Sequence, residues 1–161
     1  MPGAVEGQEP VAAPLGIQLV AIYHFLSLLS ILLLLFSDSA SEMPVVIGSI
    51  LIHGVTAKGI LLILNGVSVW IAVGLWTLKR QAWSVFMIYH GIGVLWGVIN
   101  LLWANDQILT TMIPKELSYP YWLTVEFYRF VTAVGIAVVL SLVLYVYRQR
   151  DLFLRKETSG A

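Results

Sequence analysis

The chain has 161 residues, no net charge at neutral pH and no cysteine, and charged residues make up only 11% of it against 59% hydrophobic. A soluble domain carries roughly 25% charged residues, so this composition excludes an ordinary soluble protein. Zero net charge gives no field that would favour nucleic acid, and the missing cysteines exclude disulfides, thiolate metal centres and thiol redox chemistry. The length leaves room for one compact domain.

Residues 1–13 hold Gly, Pro, Ala and two Glu, a composition expected to stay a disordered tail. The first apolar run comes next, at Leu15–Phe36. It exceeds the roughly 7–15 residues of a signal-peptide core, and no Lys or Arg precedes it. Ser39-Ala40-Ser41 has the small residues of a cleavage site, but the run reads as a retained span. Pro14 suits the first turn of a helix, and Ser37 to Glu42 form a polar break.

Val45–Ala57 is apolar but short. Joined to the second apolar run, it would make a helix from Val45 to Leu78 about 50 Å long, too long for a hydrocarbon core of about 30 Å. The stretch is therefore expected to be a separate short helix, interfacial or re-entrant, before the second span. The spans are expected at about residues 15–36, 59–78, 83–103 and 121–147, making a membrane domain of 14–147 and a basic tail of 148–161. Each is close to the 20 or so apolar residues that cross a bilayer. Short connections favour antiparallel neighbours. The expected fold is thus all-α, an up-down-up-down bundle of four transmembrane helices.

Lys79, Arg80, Arg148, Arg150, Arg155 and Lys156 fall on one side of such a bundle, and Lys58 and Lys115 on the other. The positive-inside rule then places both termini in the cytoplasm of a multi-pass protein of the cell membrane. Trp76 and Trp83 flank the inner turn, while Trp103, Tyr119, Tyr121 and Trp122 mark the outer edge, as interfacial aromatics do.

In the third span His90, Gly93, Gly97 and Asn100 share one helix face, and Gly93 and Gly97 allow a close backbone approach. That face is expected to pack inward. Asn65 is expected to bond between helices. The Leu32–Leu35 run reads as lipid-facing and core surface.

Two polar groupings stand out. Glu126 and Arg129 are three apart in the fourth span and suit mutual pairing. Lys58 and Asn100, with Asp106 and His53, come to a similar depth. One reading is a self-contained ion pair; the other is an outward-facing polar site of a small oligomeric transporter or channel, since charges at membrane depth are costly and often functional. His24 and His90 lie about 10–15 Å from the inner side. They suit either hydrogen bonding within the core, with Ser27, Ser30 or a carbonyl, or axial ligation of a b-type haem.

No phosphate loop, zinc helix or nucleophile elbow is present. No cofactor or metal is expected on this pattern, and the reading is of a non-enzymatic accessory or structural membrane component. Its expected partners are the lipid bilayer and a larger membrane complex or further copies of itself, with no nucleic acid.

Pro14-Leu15-Gly16-Ile17-Gln18-Leu19-Val20-Ala21-Ile22 resembles the opening of a group of small prokaryotic integral membrane proteins. Val73 to Trp83, with its Gly-Leu-Trp, basic turn and second Trp, resembles that group's junction between second and third spans. The resemblance implies a four-helix membrane protein and no activity.

Overall fold

The computed structural model describes residues 12–36, 45–47, 50–103 and 124–158. Helices α1 (Leu15–Phe36), α2 (Gly54–Trp76), α3 (Arg80–Trp103) and α4 (Val125–Arg148) are each long and apolar enough to cross a membrane. Strands β1 (Val45–Ile47) and β2 (Ile50–Ile52) lie between α1 and α2, and a short helix α5 (Arg150–Thr158) comes after α4. The protein is a membrane-embedded, multi-pass bundle. Its helices alternate in direction: the first turn of α1, at Gly16, meets Tyr145 near the end of α4, and Gly74 near the end of α2 meets Ala82 at the start of α3.

The segment before the second span is not the expected separate helix. Val45–Ile52 forms an antiparallel pair in which Val45 faces Ile52, Val46 faces Leu51 and Ile47 faces Ile50. Helix α2 then begins at Gly54, earlier than residue 59. The physical reason is in the residue types. Val45, Val46, Ile47, Ile50 and Ile52 are β-branched, and such side chains favour a pleated surface over a helix. Gly54 has φ +65°, a left-handed conformation that glycine adopts without a Cβ penalty, and it makes the corner into α2. Exposed strand edges are costly in lipid. Here α3 supplies donors: Trp96 Nε1 and Asn100 Nδ2 both bond to the Val46 carbonyl, the latter at 3.2 Å.

At the opposite end the chain turns between α2 and α3 within three residues. Lys79 N donates to Gly74 O at 2.8 Å and Leu78 N to Leu75 O at 3.1 Å, the paired bonds of a Schellman ending. The left-handed position of that motif is usually glycine, yet Leu78 holds it at φ 54°. A non-glycine residue there costs about 1–3 kcal/mol. Leu78 is 2% exposed, and burying a leucine contributes about 1.5–3 kcal/mol. The two effects are comparable, so the side chain compensates for its own backbone strain.

The core sits at this same end. Ile17, Ile71, Leu75, Phe86, Val146 and Phe153 are all buried in one cluster. Phe153 belongs to α5, so this short helix folds back over the end of the bundle. Ala13, placed in the disordered tail by composition, packs against the same cluster, and its carbonyl accepts from Gln18 Nε2 at 2.7 Å. Trp83 is half-buried against that core, and its Nε1 is a buried donor without a partner among the described residues. Leu32, Leu33 and Leu35 are exposed and Leu34 is buried, as expected for a partly lipid-facing run. The anchors Tyr119, Tyr121 and Trp122, the loop from Asn105 to Pro120, the break after Phe36 and most of the N-terminal tail lie outside the described residues.

A Cβ added at Gly74 would overlap that of Ala82, and neither backbone-borne atom has rotamers with which to move. Gly74→Ala should therefore lower stability in detergent by about 1–3 kcal/mol, and adding Ala82→Gly should restore most of it. Thermal unfolding of the three variants checks this, and a neutral Gly74→Ala would show that α2 and α3 are not in such close contact.

Candidate functional site

The polar centre of the bundle is built from three helices. His24 of α1 is 1% exposed and His90 of α3 is 5% exposed. Their Nε2 atoms are 3.1 Å apart, a hydrogen bond between imidazoles. His24 Nδ1 is 2.6 Å from Ser68 Oγ of α2, and the Tyr89 side chain lies close to Ser68. The rings are walled by aromatics: Phe86 meets His90 edge-on at 4.4 Å between centroids, and Tyr89 meets it at 5.3 Å.

Burial in lipid makes neutral imidazoles the favoured forms. A neutral imidazole donates from one nitrogen and accepts at the other, so only two arrangements satisfy the chain. In one, His90 Nε2–H donates to His24 Nε2, and His24 Nδ1–H donates to Ser68 Oγ. In the other, Ser68 Oγ–H donates to His24 Nδ1, His24 Nε2–H donates to His90 Nε2, and His90 Nδ1 carries a proton. The set is a short relay: a shift that reverses every donor takes one proton in at His90 Nδ1 and gives one out at Ser68 Oγ.

Sequence reasoning groups His24 with His90, as haem ligands or as core residues bonded to Ser27, Ser30 or a carbonyl; the structure bonds the two rings to each other and His24 to Ser68. Ser27 Oγ bonds to the backbone carbonyl of His24, not to its ring. Ser68 is the residue it misses; its signal is a lone hydroxyl in an otherwise apolar part of α2. The haem reading does not fit this arrangement. Two axial imidazoles each about 2 Å from one metal stand roughly 4 Å apart, farther than the 3.1 Å found here, and a macrocycle would have to lie between rings that touch. No group of three or more His, Asp or Glu residues able to hold a metal occurs among the described residues.

The second predicted grouping gathers at the hairpin end but does not form one site. Glu126 is exposed in the first turn of α4, where its carboxylate interacts with Thr124 and feels Arg129. Thr124 is the N-cap of that helix, its side chain accepting from Phe127 N at 3.1 Å. A carboxylate in a first turn is favoured by the helix dipole, which accounts for Glu126 without a transport role. Asn100 is committed to the hairpin carbonyl of Val46. Lys58 is half-buried in the second turn of α2 and His53 is exposed; Asp106 lies outside the described residues. Asn65 bonds within its own helix, to Leu61 O at 2.8 Å, rather than between helices.

The face of α3 expected to pack inward does so only in part: His90 is buried and Gly97 half-buried, but Gly93 is exposed. Gly97 lies against Ile136 of α4, whereas a Cβ at Gly93 would meet nothing within 4 Å. The empty space is a partly open cleft of about 400 Å³ between α3 and α4, lined by Tyr89, His90, Gly93, Trp96, Thr132 and Gly135 among others.

His24→Leu and His90→Leu should each cost about 1–2 kcal/mol, because each leaves a buried partner unsatisfied. The double variant should cost clearly less than the sum. A double-mutant cycle on detergent unfolding measures the difference, and strict additivity would mean the imidazoles do not interact.

No protein-family model, curated protein or solved structure matches this chain.

Proposed function

We propose that the protein is a non-enzymatic component of the cell membrane, an accessory or structural subunit of a larger assembly, with both termini in the cytoplasm. The observation that carries this reading is that His24, Ser68, His90, Asn65 and Asn100 all bond within the protein's own fold. His24, Ser68 and His90 tie three helices together. Asn65 bonds its own helix, Asn100 bonds the hairpin, and Glu126 sits at a capped helix start. Among the described residues these groups do not line up into a polar path from one face to the other, as a conduction route requires. The orientation is supported by the Lys and Arg count, and the layout by the resemblance to small four-span prokaryotic proteins.

Helix α4 is the natural place for a partner. Only 6% of its apolar window is buried in the protein, against 28% for α2. The test is isolation of the tagged protein in mild detergent with native mass measurement, alongside a photocrosslinker at Val134. The expected result is a stoichiometric complex with a larger membrane protein crosslinked through α4. A partner-free homo-oligomer whose liposomes conduct a solute, with flux lost in Glu126→Gln, would replace this reading with the transporter or channel.

A further inference from the structure

Going beyond the accessory role, we infer that the cleft between α3 and α4 is a binding site for a neutral, membrane-soluble ring compound of the quinone class, whose carbonyl oxygen accepts a hydrogen bond from His90 Nδ1. His90 is buried, with 5% exposure, and it lines the cleft. Its Nε2 is taken by His24, while its Nδ1 makes no hydrogen bond with any described residue. A ring nitrogen without a protein partner, on a side chain that lines a cavity, is a polar handle that can orient a ligand in an otherwise apolar pocket.

The other lining residues narrow the chemistry. No charged side chain lines the cleft, so a charged ligand would find no counter-ion. Its volume of about 400 Å³ lies within the roughly 300–1,000 Å³ typical of small-molecule sites. Gly93 and Gly135 leave open space where a Cβ would stand. Both helices therefore present bare backbone there, against which a flat ring can lie. Trp96 and Tyr89 add aromatic surface, and Thr132 adds a hydroxyl from the facing helix.

The relay fits this ligand. A carbonyl acceptor requires a proton on His90 Nδ1. His90 Nε2 then accepts from His24 Nε2–H, and His24 Nδ1 accepts from Ser68 Oγ–H. Each group in the chain keeps a partner, so binding selects one of the two tautomeric arrangements without leaving a buried donor stranded.

The test is quenching of tryptophan fluorescence by decylubiquinone, with the protein in lipid nanodiscs. Wild-type protein should show saturable quenching. Gly93→Leu, which fills the cleft without a clash at its Cβ, should weaken binding at least tenfold. Gly66→Leu, whose Cβ also meets nothing within 4 Å but which does not line the cleft, should bind as the wild type does. Decylbenzene, a ring without an oxygen, should compete about five- to tenfold less well, the ratio expected for one hydrogen bond. Equal binding by wild type and Gly93→Leu would overturn the site. Equal competition by decylbenzene would overturn the His90 contact and reduce the cleft to a slot for acyl chains.

Discussion

A bilayer offers an imidazole no water, so each buried ring nitrogen needs a partner within the protein or incurs a desolvation penalty. The contact between His24 and His90 answers that need at both Nε2 atoms. Ser68 extends it to a third helix. Because α1, α2 and α3 each contribute one member, their relative rotation and depth are set at a single point, and the rest of the bundle is arranged about it. Apolar packing alone would do this weakly, since lipid tails are as apolar as leucine and provide little drive for one helix to choose another.

Helix α4 lies outside this arrangement. It contributes no member to the polar centre and buries only Val146 fully, close to the end where α5 folds back. Along the rest of its length it leans on α3 through Ile136 and Gly97. The bundle is therefore tight at the Leu78 end and looser toward the hairpin. The cleft is a consequence of that difference: α4 is held at one end and spaced by glycines in the middle.

Much of this is legible in the sequence. Length and hydropathy dictate four spans, and the three- and four-residue steps from His90 to Asn100 mark a face that is inward at His90 and partly so at Gly97 and Asn100, but exposed at Gly93. The hairpin escapes a reading that weighs hydropathy and length for Val45–Ala57 but not its run of β-branched residues. Glu126 invites a transport reading because a charge in an apolar run looks buried; only the position of the helix start, at the Thr124 cap, shows it at an exposed end. Asn65 cannot be assigned a partner from sequence because an amide in a helix reaches its own turn as readily as a neighbour. The 3.1 Å spacing that separates a hydrogen-bonded pair from a haem slot depends on helix rotation, which periodicity does not set.

The position of Phe153 bears on the order of events during synthesis. It is made after all four spans, yet it is 1% exposed within the cluster that joins α1, α2 and α3. While the ribosome is still making α4, that cluster has a gap at its end. The cluster is therefore complete only once α5 has folded back onto it.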